Sequence, residues 1–379
     1  MPHMLPALTP GRLSLADVLP SCLAALEGTD NPLELPAVDR VLVIVVDGLG
    51  HAQLRAAAGH ARYLAPLAAA SIDSVFPTTT ASALSTLATG TRPGRHGLVG
   101  YTALDAAHDR VVNQLTGWDD EMRPEVWQRQ PTVWEAARAE GITVSAVGPA
   151  KYVASGFTRA VLRGADYHAA GAIVSRLQMA RTLLAASPRA LVYLYVPELD
   201  AIGHAKGVES AAWTDALEDL DRELREAVPG LPASTGVLIT ADHGQITVPP
   251  HGHVLFDLDP ELIDGVRHVG GEPRCLHLYF EPGLSPADRE RIKQAWIAAE
   301  SSRAWIADRD EVIESGWMGP VDAEVAPRIG DLVIAARKRV AYYDSRADPR
   351  ARGMVGQHGS LTAEELRVPL IRLGAFRSA

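Results

Sequence analysis

The chain has 379 residues, of which 47% are hydrophobic and 22% charged, and its formal net charge is −10 at pH 7. This length predicts one large α/β domain with an insertion, or two domains, with a sizeable core. The acidic balance argues against a general nucleic-acid-binding surface, but not against a phosphate-bearing substrate, because bound divalent metals would reverse the local field.

The N-terminal residues 1–28 are interrupted by prolines and charges, so they predict a loop and an amphipathic helix and not a secretion signal. The sequence has no run of about 18 apolar residues, so no transmembrane helix is expected. Cys22 and Cys275 give neither a disulfide framework nor a thiolate metal site. We therefore expect a cytoplasmic protein that has no membrane partner.

Short apolar runs alternate with helix-length segments over the first two thirds of the chain. The runs have the character of strands buried on both faces, and they are Arg40–Asp47, Thr143–Val147, Leu191–Val196 and Gly236–Thr240. The segments with helical periodicity are Thr132–Ala139, Ser175–Ala186 and Ala211–Ala227. This alternation predicts an α/β fold with a mostly parallel central sheet sandwiched by helices.

After the fourth apolar run the pattern changes. A Pro/Gly-rich loop is followed by a strand in CLHLYFE, a helix with Ser285 as N-cap and Pro286 at its first position, and a hairpin or strand pair in DLVIAARKRVAYYD. We expect residues 249–345 to form a small inserted α+β cap. Residues 1–248 and 346–379 would then form a metal-binding α/β core, with VPLIRLG as its last strand.

Side chains that bind metals follow three of the apolar runs. Asp47 ends the first run, Asp200 follows the third, and Asp242 with His243 follows the fourth. In parallel sheets, ligands gather beyond the carboxyl ends of the strands, so these residues should share one edge. Asp47 ends the most hydrophobic run, where an unpaired charge would be costly, so it must be paired, hydrogen-bonded or metal-bound.

Each of these motifs alone also has a structural explanation. Asp200 and His204 would face one ion if their segment is helical, but an isolated pair at this spacing is more often a loop aspartate and a surface or capping histidine. The adjacent Asp242 and His243 are as typical of a turn or a helix cap as they are of a metal site. His358 lies in GQHGS, a stretch with little apolar material, where a surface loop is the alternative to a metal ligand.

Three consecutive threonines, Thr78, Thr79 and Thr80, follow Phe76-Pro77 and precede a helical pattern of small residues. A hydroxyl at a helix start can serve as an N-cap. It can also act as a nucleophile, because the positive end of the helix dipole at the N-terminus stabilises an alkoxide or a bound phosphate. Threonine without assistance is a poor nucleophile, so a metal is its necessary partner. With the ligand-type residues, this hydroxyl completes what an in-line displacement at phosphorus needs.

Competing motifs are weak. The sequence has no Walker-type phosphate loop, no G-x-G-x-x-G after a strand and no G-x-S-x-G elbow. His251 and His253 form an H-x-H in a Pro/Gly loop, which we interpret as substrate-side or structural and not as metal ligands.

Together these residues resemble the alkaline phosphatase superfamily, and within it the type I phosphodiesterase/nucleotide pyrophosphatase family. The likeness covers about Arg40 to Gly244 and the surroundings of His358. Its most specific part is FPTTTASALSTLATGTRPGRHGLVGY, which is similar to the family's F-P-T-x-T…T-G-x-x-P-x-x-H-G segment. The resemblance implies an alkaline-phosphatase-like fold and a metal-dependent hydrolase that acts on a small phosphoester.

The resemblance also implies roles for single residues. Thr80 matches the family's nucleophile. The metal that activates it would be held by Asp47, Asp242 and His243. The metal that orients the leaving or attacking oxygen would be held by Asp200, His204 and His358. The implied cofactors are two zinc ions, with other divalent metals such as Mn²⁺ as alternatives.

One position departs from the family pattern. The family places an asparagine after its H-G motif, where it binds a non-bridging phosphate oxygen, and Tyr101 stands at the equivalent position. A tyrosine hydroxyl can donate the same hydrogen bond from a longer and stiffer arm. Gly100 beside it would offer a backbone N–H to the phosphate. We expect both residues to bind substrate, and the departure leaves the identity of the substrate open.

The predicted function is a phosphodiesterase or nucleotide pyrophosphatase that acts through a phospho-threonine intermediate. Diesters or pyrophosphates are favoured because the sequence shows no further carboxylate set for a third metal, which monoesterases of the superfamily use. The alternatives are a phosphomonoesterase or phosphonate hydrolase of the same superfamily, a phosphomutase, and a non-catalytic binding module. No pattern indicates the oligomeric state.

Overall fold

A computed structural model describes residues 5–9, 11–346 and 349–377. The strands are β1 (Arg40–Val46), β2 (Ala70–Asp73), β3 (Thr102–Asp105), β4 (Arg110–Asn113), β5 (Thr143–Gly148), β6 (Asp166–Ala169), β7 (Ala190–Val196), β8 (Thr235–Thr240), β9 (Ile246–Thr247), β10 (His253–Leu255), β11 (Val266–Glu272), β12 (Cys275–Phe280), β13 (Ala304–Asp308), β14 (Leu332–Ala336), β15 (Ala341–Tyr343), β16 (Gly356–Gln357) and β17 (Arg367–Gly374).

Helices fill most of the connections between these strands. They are α1 (Leu15–Glu27), α2 (His51–Ala56), α3 (Thr80–Thr89), α4 (Pro93–His96), α5 (Pro124–Trp127), α6 (Val133–Ala139), α7 (Gly156–Val161), α8 (Ile173–Ala186), α9 (Glu198–Lys206), α10 (Ala211–Ala227), α11 (Pro260–Ile263), α12 (Pro286–Glu300), α13 (Arg309–Glu314) and α14 (Ala363–Leu366). None of the described helices is long and apolar enough to cross a membrane.

The central sheet has seven strands in the order β2-β17-β8-β1-β7-β5-β6. Strands β8, β1, β7, β5 and β6 pair in parallel, and β17 runs antiparallel to both of its neighbours. The four predicted apolar runs form β1, β5, β7 and β8, and VPLIRLG lies in β17. The mostly parallel central sheet is therefore confirmed.

Amphipathic helices cover the sheet. In α10, Trp213, Leu217, Leu220 and Leu224 recur at helical spacing and are buried, while most of the charged side chains face outwards. The three predicted helical segments correspond to α6, α8 and α10, with bounds that differ by two residues at most. In α6 the start is fixed by a capping box in which Thr132 and Glu135 bond each other's backbone N–H groups.

A second sheet of four antiparallel strands, β11-β12-β14-β13, lies between residues 266 and 336. Helix α12 packs on it through Ile292 and Trp296, and the Ser285 side chain accepts the Asp288 N–H at the predicted N-cap. The segment DLVIAARKRVAYYD forms two strands that do not make a hairpin, because β14 joins the antiparallel sheet whereas β15 pairs with β10. The hairpin alternative is therefore wrong.

The predicted cap begins and ends at neighbouring points of the core. Strand β9, just before residue 249, pairs with β16, just after residue 345, through Ile246 with Gln357 and Thr247 with Gly356. A segment whose ends meet in this way can be inserted without disturbing the sheet. On this ground we propose the division into 1–248 with 346–379 and an inserted cap at 249–345.

Candidate metal centre

Three neighbouring strands bring the predicted ligands to one edge of the sheet. Asp47 follows β1, Asp200 lies in the first turn of α9 after β7, and Asp242 follows β8 by two positions. Because β7, β1 and β8 are adjacent and parallel, their carboxyl ends meet at the same place. The side chains group as Asp47 with Asp242 and His243, and as Asp200 with His204 and His358.

The first group surrounds the hydroxyl of Thr80. His243 Nε2 lies 3.5 Å from Asp47 Oδ1, 3.4 Å from Asp242 Oδ2 and 3.2 Å from Thr80 Oγ1. Both carboxylate oxygens are buried and lack a hydrogen-bond partner in the part of the chain that the structure describes. Unpaired buried carboxylate oxygens beside an imidazole nitrogen are costly unless a cation lies between them, so these residues fit a divalent metal.

The pKa values of the carboxyl groups in the centre also indicate that a cation would stabilise it. Burial raises the pKa of Asp47 well above its ordinary value, and the nearby charges of Asp200 and Asp242 add to the effect. Burial likewise raises the pKa of Asp200, against the attraction of His204 and His243. Three carboxyl groups in one buried space repel each other when ionised, and a bound cation reverses that effect.

The second group has two imidazoles and one carboxylate. His204 Nε2 lies 3.4 Å from Asp200 Oδ1 and 3.3 Å from His358 Nε2, and His358 Nε2 lies 3.9 Å from the same Asp200 oxygen. Asp200 and His204 are one turn apart on α9, so both side chains leave the helix on the same face. Burial, and then the proximity of His243 and His204, lowers the pKa of His358 well below its ordinary value, which favours the neutral imidazole that binds metals.

Backbone carbonyls orient all three imidazoles. The contacts are His204 Nδ1 to Gly356 O at 2.7 Å, His358 Nδ1 to Thr78 O at 2.8 Å, and His243 Nδ1 to Gly244 O at 3.2 Å. A carbonyl oxygen can only accept, so each Nδ1 carries the proton and each neutral ring presents the Nε2 lone pair to its group. The tautomers that suit a metal are therefore set by the fold.

Thr80 is the first residue of α3, and the three threonines have different places. Thr79 is the N-cap residue by backbone conformation, so Thr80 itself does not cap the helix. The hydroxyl of Thr78 donates to Ser360 O at 2.8 Å and accepts the Gly359 N–H at 3.0 Å. The rest of α3 is buried, which fixes the direction of its N-terminus. Thr80 is thus held rigidly with its hydroxyl towards His243.

Three residues of the centre escaped the sequence analysis. The Tyr195 hydroxyl donates to Asp47 Oδ2, and the Gln245 amide donates to the Asp200 carboxylate. Gly48 has a φ of +74°, and a Cβ there would lie 3.0 Å from the Asp200 Cα, so glycine favours the close approach of this loop to the first turn of α9. Two features of the sequence could have indicated these residues. They are the D-G pair after β1, for Gly48, and the two tyrosines Tyr193 and Tyr195 on one face of an otherwise aliphatic strand, for Tyr195.

The residues predicted to bind phosphate use their backbone N–H groups within the protein. The Gly100 N–H donates to Gln114 Oε1 at 3.1 Å, and the Tyr101 N–H donates to Glu272 Oε2 at 2.7 Å. Both backbone amides therefore already have protein acceptors, which removes the N–H that Gly100 was expected to offer. The Tyr101 side chain is 39% exposed, and substrate binding by its hydroxyl stays a prediction.

Two other clusters have structural explanations. His253 packs edge-on against Tyr343, with ring centroids 5.0 Å apart, in agreement with its interpretation as structural. Asp105, His108 and Glu121 come close enough to hold a metal, but Arg110 lies between their carboxylates, 3.2 Å from Asp105 and 3.1 Å from Glu121. This guanidinium already supplies the positive charge that the acidic cluster needs.

Comparisons with known proteins agree with this geometry. The model of the family described as type I phosphodiesterase/nucleotide pyrophosphatase matches residues 41–361. No curated protein matches the sequence. Murine ectonucleotide pyrophosphatase/phosphodiesterase 5 has a similar structure, with a TM-score of 0.67 and 17% identity over 87% of each chain.

Two further solved structures have the same fold. An inactive threonine-to-alanine variant of the murine protein, in complex with AMP, has a TM-score of 0.67 and 16% identity over 89% of this chain and 88% of that one. The human protein has a TM-score of 0.66 and 17% identity over 88% and 87%.

Proposed function

Because this chain belongs to the type I phosphodiesterase/nucleotide pyrophosphatase family of phosphoester hydrolases, we propose that it cleaves a small phosphodiester or pyrophosphate through a phospho-threonine intermediate on Thr80. The observation that carries the proposal is the position of Thr80 Oγ1, 3.2 Å from His243 Nε2 at the edge of a ligand group. The inactive threonine-to-alanine variant of the murine neighbour supports a threonine nucleophile.

We assign one divalent metal to each ligand group. One would be held by Asp47, Asp242 and His243, with Thr80 as a further ligand, and the other by Asp200, His204 and His358. Three carboxylate or imidazole ligands with an open position suit catalytic zinc, and Mn²⁺ is the alternative. Bound there, two metals would supply positive charge to the phosphate oxygens and to the attacking and leaving oxygens.

The chain's own residues account for the rest of the reaction. Thr80 Oγ1 gives up its proton and attacks phosphorus in line as the alkoxide, the bond from phosphorus to the leaving oxygen breaks, and the leaving group departs with a proton in exchange. The N-terminus of α3 stabilises the negative charge that collects there. Water then attacks phosphothreonine, restores the Thr80 hydroxyl and releases the phosphorylated product. Over the two steps, one ester or anhydride bond is hydrolysed and one water molecule is consumed.

Diesters or pyrophosphates fit better than monoesters. The described residues form two ligand groups at Thr80, and the third group in the structure, around Asp105, is neutralised by Arg110. A third metal that would neutralise a dianionic monoester therefore lacks ligands in the part of the chain that is described. The murine neighbour's complex with AMP supports a substrate of nucleotide size.

The test combines elemental analysis with a substrate panel. We expect two zinc ions per chain and faster hydrolysis of bis-p-nitrophenyl phosphate than of p-nitrophenyl phosphate. The Thr80→Ala variant should retain its metals and lose at least about a thousandfold in kcat, in the range seen when a nucleophile is removed. Thr182→Ala, which removes an exposed hydroxyl on α8, is the matched control.

Each alternative function predicts a different result. Undiminished turnover by Thr80→Ala would show that Thr80 is not the nucleophile. A preference for the monoester of about a hundredfold, or 2.7 kcal/mol of barrier, would favour a phosphomonoesterase. Transfer of labelled phosphate within one substrate would favour a phosphomutase. Two bound metals without turnover on any phosphoester would favour a binding module.

We also propose a cytoplasmic location. Its support is that Cys22 and Cys275 are both free and buried, a state that a reducing compartment preserves. Fractionation of the native cells tests it, and recovery of the protein outside the cytoplasm would refute it.

A further inference from the structure

A cavity of about 410 Å³ lies directly beside the candidate metal centre. Asp47, Thr80 and Asp200 are among the residues that line it. Its volume falls within the range of about 300–1,000 Å³ that is typical of small-molecule pockets. A group attached to a phosphate at Thr80 would therefore have space to extend into the protein.

The wall next to Thr80 is apolar. Leu84, Leu87 and Ala88 line the cavity from α3, four, seven and eight residues after Thr80, so they share its face of the helix. Phe157 and Val161 line it from α7. Carbon atoms thus begin within one helical turn of the candidate nucleophile.

Three aromatic residues of the wall direct their polar atoms to protein acceptors. Their hydrogen bonds are Trp134 Nε1 to Val161 O at 3.0 Å, Tyr167 Oη to Pro149 O at 2.9 Å, and Tyr195 Oη to Asp47. These side chains therefore present ring carbons to the cavity. A polar group buried against these rings would lose its water and gain few partners, which costs free energy, whereas a hydrocarbon would be stabilised there.

Few charged residues line the cavity. Asp47 and Asp200 belong to the metal centre, and Lys151 is exposed, with its ammonium 4.8 Å from the centroid of the Tyr152 ring. This arrangement suits a substrate with a phosphate at one end and an uncharged hydrocarbon next to it.

We propose that the cavity binds an apolar hydrocarbon substituent of the phosphoester that Thr80 attacks, so that the substrate class is phosphodiesters with one hydrophobic alkyl or aryl group. The inference rests on the proposed function, because it places the reacting phosphate at Thr80. It goes further in naming what the phosphate carries: a hydrophobic chain and not the hydrogen-bonding base of a nucleotide.

A series of p-nitrophenyl alkyl phosphates, from methyl to octyl, tests the proposal on the metal-loaded enzyme. Every member has the same leaving group, so differences report the alkyl chain. We expect kcat/KM to rise about threefold per methylene, close to the value for complete burial of a CH₂ group, until the cavity is full. Thymidine 5′-p-nitrophenyl phosphate should be a poorer substrate than the octyl ester.

Two variants that reduce the cavity give the matched test. Leu87→Trp and Ala88→Leu should lower the ratio of kcat/KM for the octyl ester to kcat/KM for the methyl ester at least tenfold, since only the longer chain needs the space. Leu258→Trp, at a side chain that is 68% exposed, is the control and should leave both values unchanged. Equal losses for both esters would contradict a pocket for the chain.

A binding measurement separates this proposal from the proposed function. Octylphosphonate should bind the metal-loaded protein at least about tenfold more tightly than methylphosphonate in calorimetry, and Leu87→Trp should abolish the difference. Rates and affinities that do not change with chain length, or a preference for the thymidine ester, would overturn the apolar pocket while hydrolysis stands. Absence of hydrolysis for every ester, with tight octylphosphonate binding retained, would refute the proposed function and not the pocket.

Discussion

The imidazole rings of His243 and His358 stack on each other, with centroids 3.6 Å apart and planes 16° apart, although the two residues belong to different ligand groups. His358 is in turn held by the Thr78 carbonyl, two residues before Thr80. The two groups and the candidate nucleophile are therefore parts of one packed unit. A substitution in one group should therefore alter the geometry of the other group.

The stacking predicts that loss of His358 affects both groups. We expect His358→Ala to lower the metal content from two ions per chain to one, to reduce kcat/KM by at least about a hundredfold, and to weaken the remaining site, since His243 loses the ring that supports it. Elemental analysis after dialysis against a weak chelator measures this. His60→Ala, an exposed imidazole paired with Glu218, is the control. Two retained metals would show that His358 is not a ligand.

Gly48 offers a test of the close approach between the two groups. Gly48→Ala should lower activity at least tenfold and weaken metal binding, because the new Cβ would press on the Asp200 backbone at 3.0 Å. Gly141→Ala is the matched control, since Gly141 has a similar φ of +72° but has no atom within 4 Å of the added Cβ. Both variants should lose about 1–2 kcal/mol of stability from the left-handed backbone. Equal activities would show that the crowding at Asp200 is unimportant.

Arg274 and Glu365 form a fully buried ion pair behind the His358 loop. Arg274 Nη2 lies 2.7 Å from Glu365 Oε2, and Glu365 Oε1 also accepts the Ser360 N–H at 3.0 Å. Glu365→Gln should lower the free energy of unfolding by about 3–5 kcal/mol, because it leaves the guanidinium buried without a counter-charge. Urea denaturation measures this loss.

The matched control for the ion pair is exposed. Arg222→Gln removes a surface partner of Asp219 and should change stability little. The double variant Arg274→Met with Glu365→Leu should recover part of the loss, because it leaves no buried charge. A single Glu365→Gln variant as stable as the parent would contradict the structural role of the pair.

The buried side chain of His96 should make the free energy of unfolding depend on pH. Burial, followed by the nearby charge of Arg328, lowers the pKa of His96 from 6.5 to about 3. Leu98 N–H donates to its Nδ1 at 3.1 Å, so its Nε2–H donates to Thr86 Oγ1 at 2.9 Å, and protonation would break the first bond. Because the unfolded chain binds this proton below about pH 6.5, stability should fall with decreasing pH between about 6.5 and 3.

A substitution isolates the contribution of His96. His96→Asn should reduce the pH dependence of the unfolding free energy by up to about 1.4 kcal/mol per pH unit, the value for one proton, between pH 6 and pH 4. His277, whose pKa burial lowers to about 4, contributes equally to parent and variant. An unchanged slope relative to the exposed control His60→Asn would contradict this account.

The sequence was sufficient for the parts of the fold and site that rest on apolar runs and charged side chains. The runs before Asp47, Asp200 and Asp242 predict buried parallel strands, and parallel strands place their carboxyl ends together, so the joint edge follows from chain direction alone. The edge strand β6 was missed because DYHA is short and has no continuous apolar run. Residues 166–169 form a strand because they pair with β5, and this pairing cannot be recognised from their own sequence.

Several of the contacts that escaped prediction depend on backbone atoms. The carbonyls that set the tautomers of His204 and His358 belong to Gly356 and Thr78, and a carbonyl is present at every residue, so no residue type marks it. The same reason explains Gly100, whose N–H was expected to be open but donates to Gln114 from the hairpin that follows. Such contacts are decided only when distant segments meet.

The order of the elements along the chain has a consequence during synthesis on the ribosome. Strand β17 inserts between β2 and β8, and His358 lies just before it, after the whole of residues 249–345. A growing polypeptide that has already made Asp47, Asp200 and Asp242 therefore keeps β8 as an open sheet edge and lacks one imidazole. We therefore expect the ligand group around Asp200 to be complete only after synthesis has passed His358, and the open edge of β8 to be covered only once β17 has been made.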